Sequence, residues 1–127
     1  MGPSYQYAAK VSRWVDGDSL IASIDCGFSV FLHDQQIRLT GIDTSETRGG
    51  TPELKWLGNL AKQYVNDACP VGSDIIIKTS IDKKGKFGRL LGEIFYGDEP
   101  VSLNENLKLQ RLAVPYMGQK KAEVIAL

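Results

Sequence analysis

The chain has 127 residues, which is enough for one domain with a single hydrophobic core. Hydrophobic residues make up 43% and charged residues 24%, as in ordinary globular proteins, and no apolar run is long enough to cross a bilayer. The 15 basic residues balance the 15 acidic ones, which argues against a protein that coats nucleic acid by long-range attraction but leaves room for a local basic site.

The N-terminal part alternates as antiparallel strands do. Residues Tyr7–Val15 predict a first strand, and Asp16-Gly17 predicts a hairpin turn, because this dipeptide tolerates the positive backbone angles of a tight turn. Asp18 opens a second strand with an apolar face. Its carboxylate is therefore expected at the rim of the core, either solvated or holding a cation.

Further strands are predicted before the first helix. After a turn at Cys26-Gly27 or Gly27-Phe28, residues 28–32 form part of a third strand. His33-Asp34-Gln35 then predicts a turn and Gln36–Ile42 the next strand. Several short strands joined by tight turns are typical of an antiparallel meander or barrel.

One amphipathic helix follows these strands. Thr51 is a suitable cap and Pro52 a suitable first-turn residue, and apolar residues then recur at three- and four-residue spacing as far as Ala68. Gly58 interrupts the pattern, so the regular helix is expected to begin only at Asn59. Four aromatic residues are expected to pack in the core or at its rim: Trp14, Trp56, Tyr64 and Phe95.

The C-terminal half predicts two strands and a short helix. Ile75–Ile77 begin one strand, and Arg89–Tyr96 form the next after the basic loop Asp82–Gly88. A helix is predicted from about Ser102 to Leu109. The whole order fits a small closed sheet with helices packed on it, a mainly β fold of the α+β class.

The segment Arg38–Glu46 carries the most suggestive chemistry. An apolar strand ends in a loop with Asp43 and Glu46, which are expected to project into solvent; acids at a strand end suit a hard cation, and arginine suits phosphate. Alternation would put Arg38 and Asp43 on opposite faces unless the strand ends before Asp43, which Gly41 permits. Taken alone, the segment also fits a turn or a helix start.

Two cysteines and one histidine limit the other possibilities. Cys26 and Cys69 form no CxxC or histidine-cysteine spacing, so zinc is not expected. Reduced thiols are favoured, although a disulfide stays open. His33 excludes a mechanism that needs two histidines and is expected at a strand end or on the surface.

In their order and spacing, four segments resemble the staphylococcal nuclease (thermonuclease) family: Asp16-Gly17-Asp18-Ser19, Arg38–Glu46, Gly88-Arg89 and Leu112-Ala113. The family pattern is an Asp-Gly-Asp-Thr hairpin, an Arg…Asp-Thr-Pro-Glu strand end and a later aromatic-Gly-Arg. The resemblance covers roughly residues 8–117 and leaves 118–127 as a short C-terminal tail or helix. It implies a single domain, 1–127, built as a five-stranded oligonucleotide/oligosaccharide-binding (OB) barrel with two to three packed helices.

The resemblance also implies site roles. The implied chemistry is sound, because Ca²⁺ takes oxygen ligands and arginine offers phosphate two parallel donors. Glu46 would orient or activate the attacking water, and these two roles stay equally open. The implied residues are Asp18, Asp43 and the Thr44 carbonyl for calcium, Arg38, Glu46 and Arg89 for catalysis, and Lys86 and Phe87 for substrate.

The implied function is a calcium-dependent nuclease that hydrolyses DNA or RNA, preferably single-stranded or frayed, and leaves 3′-phosphate and 5′-hydroxyl ends. No membrane or obligate protein partner is implied, and a monomer is expected. Because Met1–Tyr5 lacks a signal-peptide profile, a cytoplasmic location is expected unless a leader has been removed. The alternative is a non-catalytic OB-fold module that binds nucleic acid or protein, as in relatives that have lost the acids retained here.

The sequence departs from the family pattern at four positions. Ser45 replaces the proline before the glutamate, and Ser19 replaces threonine. Phe87 stands where tyrosine is usual, and Gly85 where aspartate is usual. None of these changes removes an implied metal ligand or phosphate clamp.

Overall fold

The computed structural model describes residues 5–48, 50–81 and 90–115, without the side chains of Ser80 and Ile81. The expected tail at 118–127 lies outside these ranges. The elements in chain order are β1 (Tyr5–Asp16), β2 (Ser19–Asp25), β3 (Phe31–Leu39), β4 (Ile42–Asp43), α1 (Pro52–Ala68), β5 (Asp74–Ile81), β6 (Leu90–Tyr96), α2 (Leu103–Leu109) and β7 (Val114–Pro115).

Five strands close into a barrel in the order β1-β2-β3-β6-β5, and β4 pairs with β7 in a separate two-stranded sheet. All barrel pairs are antiparallel except β3 with β6, which is parallel. Within the described residues two helices accompany the barrel. The predicted OB-type fold, mainly β with packed helices, is confirmed. No helix in this part of the chain is both long and apolar enough to span a membrane.

The core lies inside the barrel and under α1. Inward-facing residues of the strands pack against Val65 and Cys69 from the helix end. Trp14 is buried, and its indole Nε1 donates to the Cys69 carbonyl at 2.9 Å, which ties β1 to the end of α1. Trp56 is 63% exposed and does not pack against the core, so the expectation that it lies in the core or at its rim is wrong.

Helix α1 begins as predicted and continues past the expected break. The Thr51 side chain accepts from the Leu54 amide at 3.2 Å, and Pro52 occupies the first turn. The helix then runs without interruption to Ala68, so the prediction that Gly58 delays its regular part is wrong. Gly58 is buried against another segment of backbone, and that contact explains the glycine.

Strand β3 is one strand where a strand, a turn and a second strand were predicted. On the neighbouring strand β2, Ala22 pairs with Gln35 and Ile24 pairs with Leu32. Two residues of β3 therefore lie opposite one residue of β2, which makes a β-bulge. Asp34 in this bulge has a φ of 52°. Phe28 was predicted in a strand but lies before β3, because residues 27–29 form a turn with positive φ throughout.

Candidate functional site

A chain reversal brings Arg38 and Asp43 together. Strand β3 ends at Leu39, Gly41 turns the chain with a φ of 77°, and β4 begins at Ile42. The Arg38 Nη2 atom then donates to Asp43 Oδ1 at 2.7 Å. The regular strand β3 therefore ends before Asp43. Only under this condition can Arg38 and Asp43 lie on the same side of the sheet.

The Asp16-Gly17 hairpin delivers Asp18 to the same place. The Asp18 carbonyl accepts from the Leu39 amide at 2.8 Å, and its Oδ2 atom accepts from the Thr44 amide at 3.1 Å. The same Oδ2 atom lies 3.6 Å from Arg38 Nη2. Two carboxylates that are far apart in the sequence thus converge on one guanidinium.

This cluster is buried. The side chains of Asp18 and Asp43 are 3% and 2% exposed, and that of Arg38 is 14% exposed. The expectation that Asp43 projects into solvent is therefore wrong, and Asp18 lies deeper than a core rim. A carboxylate that is held out of water needs a counter-charge or hydrogen bonds. Arg38 supplies the counter-charge and a hydrogen bond to Asp43, and the Thr44 amide donates a hydrogen bond to Asp18.

Arg38 also holds the turn that positions the acids. Its Nη1 atom donates to the carbonyl oxygens of Leu39 and Ile42 at 3.1 and 3.0 Å. The guanidinium thus fixes the backbone on both sides of Gly41 while its Nη2 atom binds Asp43. Five N–H donors in a planar fork suit this multiple role.

Glu46 is exposed as predicted, on a loop that is fixed from two sides. On one side, Asp16 Oδ1 accepts from the Thr47 amide and hydroxyl at 3.1 and 3.0 Å. On the other side, a Cβ atom at Gly58 would overlap the Glu46 carbonyl group and would lie 2.9 Å from the Ser45 carbonyl oxygen. The loop backbone therefore packs directly on α1.

The hairpin is in similarly close contact with α1. A Cβ atom at Gly17 would lie 2.6 Å from the Ala61 Cβ and 3.2 Å from the Thr44 Cγ2. Helix α1 thus contacts the Asp18 hairpin through Ala61 and the Glu46 loop through Gly58. The sequence pattern assigns no such role to Asp16, Thr47 or Gly58; the available signal is a glycine inside an otherwise regular amphipathic helix.

Asp18, Asp43 and the Thr44 carbonyl offer a donor set that suits calcium. All three supply hard oxygens, which Ca²⁺ prefers. The hydrogen bond from the Thr44 amide to Asp18 places Thr44 beside the acids. Within residues 5–48, 50–81 and 90–115 no group of three or more acidic, histidine or cysteine side chains could hold a metal. A calcium ion here would therefore depend on backbone carbonyls and water for its further ligands.

Three expected site residues lie outside the described residues. Arg89, Lys86 and Phe87 fall between β5 and β6, where the structure describes nothing. Their roles as phosphate clamp and substrate contacts stay predictions.

Comparison with known proteins identifies two similarities. The family described as "Staphylococcal nuclease homologue" matches residues 36–124. A thermonuclease of Staphylococcus intermedius is 28% identical over 89 residues, which are 70% of this chain and 49% of the relative. The chain thus spans about half the length of this relative. The family match includes Arg38, Asp43 and Glu46 and begins after the Asp18 hairpin.

Proposed function

The chain belongs to the staphylococcal nuclease homologue family, and on that premise we propose that it is a calcium-dependent nuclease of DNA or RNA. The observation that carries the proposal is the convergence of Asp18, Asp43 and Arg38, with the exposed Glu46 three residues after Asp43 in the chain. Carboxylates for a cation, a guanidinium and an accessible acid are the groups that phosphodiester hydrolysis needs.

The two buried acids have the metal-binding role in this proposal. Asp18, Asp43 and the Thr44 carbonyl would hold Ca²⁺, which when bound polarises a phosphoryl oxygen. Arg38 balances the buried charge of Asp43 in this structure, and its Nη2 atom would turn from that carboxylate to phosphate once Ca²⁺ balanced the charge of the acids. Arg38, and Arg89 as a second clamp, would bind the negative phosphate oxygens.

Glu46 would act on the water. Its side chain is accessible to solvent while its backbone is held by α1 and by the Thr47 bonds to Asp16. A carboxylate on such a fixed loop can orient a water molecule or accept its proton. The water oxygen bonds to phosphorus, the bond to the 5′ oxygen breaks, and that oxygen takes a proton, which gives 3′-phosphate and 5′-hydroxyl products.

Substrate preference and assembly complete the proposal. Lys86 and Phe87 would flank the bound nucleotide of a single-stranded or frayed substrate. The protein would act as a monomer without an obligate protein partner.

The test is cleavage of labelled single-stranded DNA and RNA by the purified protein, with Ca²⁺ and with excess chelator. We expect cleavage only with Ca²⁺, and 5′ ends that polynucleotide kinase can label without prior phosphatase treatment. Undiminished cleavage in chelator would overturn the metal assignment. Absence of cleavage with Ca²⁺, together with retained oligonucleotide binding, would instead indicate a non-catalytic binding module.

A further inference from the structure

A second polar surface lies on the flank of Glu46. It is an open cleft of about 440 Å³ between the end of β1, the loop after Glu46 and one face of α1. Its lining is mostly polar and charged, and consists of Arg13, Trp14, Val15, Asp16, Glu46, Thr47, Arg48 and Lys62.

The charges of this Glu46 cleft favour an anion. Three of its side chains are cationic, Arg13, Arg48 and Lys62, against the two acids Asp16 and Glu46. One oxygen of Asp16 is already engaged by the amide and hydroxyl of Thr47. Within the described residues, none of the three cations forms a salt bridge.

The position of the cleft links it to the proposed nuclease site. Glu46 belongs both to the cleft and to the loop that follows Asp43, so a chain that passes the buried acids can continue past Glu46. Arginine and lysine contacts to phosphates supply sequence-independent affinity for nucleic acid. With a net charge of zero, the protein needs such local contacts to retain a polyanion.

We propose that the Glu46 cleft binds a backbone phosphate of single-stranded nucleic acid, next to the phosphate that is hydrolysed. This inference rests on the proposed function and adds a substrate subsite to it. Arg13, Arg48 and Lys62 are its binding residues. Because they contact phosphate and not bases, the subsite accepts DNA and RNA alike.

The experiment measures binding as a function of oligonucleotide length. Oligothymidylates and oligouridylates of two and eight nucleotides are titrated by fluorescence anisotropy in chelator, and a gel verifies that they stay intact. The variants are Arg13→Gln and Lys62→Gln. The control is Lys10→Gln, which removes an exposed charge of β1 that lies outside the cleft lining, three residues before Arg13. Thermal unfolding confirms that each variant is folded.

The expected result is a loss that depends on length. At 50 mM salt each cleft variant should bind the octamers roughly five- to tenfold more weakly. The slope of log affinity against log salt concentration should become smaller in magnitude by about 0.7. The dimers have a single phosphate, so their affinity should not change, and Lys10→Gln should bind like the unchanged protein. Equal losses for dimers and octamers, or no loss for either, would overturn the subsite.

Cleavage of the octamers with Ca²⁺ is measured separately, which distinguishes the two proposals. Cleavage by the unchanged protein together with unaltered binding by both cleft variants would overturn the subsite alone. A length-dependent loss of binding in a protein that never cleaves would overturn the nuclease proposal and leave the phosphate site standing. Failure of the unchanged protein to bind any octamer would overturn the subsite.

Discussion

Gly58 of helix α1 lies directly against the carbonyl group of Glu46, with no room between them for a side chain. The helix therefore sets the position of the proposed catalytic loop through a backbone contact. Gly58 is buried in the middle of a 17-residue helix, where glycine costs about 1 kcal/mol relative to alanine. We attribute the presence of glycine to this close approach.

Gly58→Ala should displace the Glu46 loop and lower cleavage. Helix propensity alone would make the variant about 1 kcal/mol more stable, but the new methyl group would overlap the Glu46 carbonyl. A shift of the loop by about 1 Å is enough to reduce turnover roughly 10²-fold. The measurement is the cleavage rate together with the free energy of unfolding in urea.

The control is Asn59→Ala, on the exposed face of the same helix turn, which should keep full activity. If Gly58→Ala were fully active and as stable as its helix propensity predicts, the contact would not position Glu46.

Asp43→Ala should destabilise the protein as well as abolish the proposed calcium binding. The solvent-exposed site expected from the sequence would have made this change harmless to folding, or even favourable. Asp43 is instead buried and pairs with Arg38 at 2.7 Å, so its removal leaves a largely buried guanidinium without that partner. Such a loss costs roughly 3 kcal/mol of unfolding free energy. Urea unfolding and calorimetric Ca²⁺ titration measure the two effects.

The ion pair of Lys10 with Asp74 provides a matched comparison, because it has the same 2.7 Å distance but its side chains are 66% and 83% exposed. Asp74→Ala should therefore cost less than about 1 kcal/mol. Equal costs for the two variants would contradict the role assigned to burial at Asp43.

The stability of the protein should fall in alkaline solution. Burial raises the pKa of the Cys69 thiol from 9.0 to about 12, and burial is also the main cause that raises the pKa of Tyr96 from 10.0 to about 12. Above pH 9 the unfolded chain releases the thiol proton while the folded protein keeps it. The free energy of unfolding should thus decrease between pH 9 and 12, by up to about 1.4 kcal/mol per pH unit from Cys69.

Urea unfolding at pH 8, 9, 10 and 11 checks this expectation. Cys69→Ala should be less stable at pH 8 because it leaves a cavity, but its stability should fall less steeply with pH. Cys26→Ala leaves the buried thiol in place and should keep the original slope. Parallel pH profiles for Cys69→Ala and the unchanged protein would exclude Cys69 as a source of the decrease.

Much of the barrel follows from local signals in the sequence. The Thr51 cap with Pro52 marks the start of α1 through adjacent residues only. Asp16-Gly17 marks the β1–β2 hairpin correctly, but Gly17 lacks the positive φ that the prediction assumed and lies against Ala61 instead. Asp43, by contrast, pairs with Val114 across β4 and β7. Because that partner is distant in the sequence, the local hydrophobic pattern, which stops at Asp43, wrongly predicts that Asp43 is exposed to solvent.

Gly58 illustrates the same limit. Helix propensity correctly identifies glycine as an unfavourable residue, but the tertiary contact with Glu46 decides whether the helix continues. The proposed site residues come from the resemblance to the nuclease family, whose motifs follow the same order along the chain. The contact between Arg38 and Asp43 depends on the turn at Gly41. The alternation of side chains along a strand allows such a turn but does not predict it.

Glu46→Gln should separate catalysis from folding and binding. The side chain is exposed and its position depends on backbone contacts at Gly58 and Thr47, so the change should alter the free energy of unfolding by less than about 0.5 kcal/mol. Glutamine keeps the size and one acceptor oxygen but cannot take a proton. If Glu46 acts as a base, turnover should fall roughly 10²-fold or more, while octamer binding and Ca²⁺ affinity stay unchanged.

A pH–rate profile distinguishes the two roles of Glu46. Loss of the acidic limb in Glu46→Gln would identify a base, whereas a uniform reduction that leaves the profile in place would identify orientation of the water. Glu99→Gln, an exposed acid in the turn after β6, is the control and should keep full activity. Full activity of a well-folded Glu46→Gln variant would show that the proposed site is wrong.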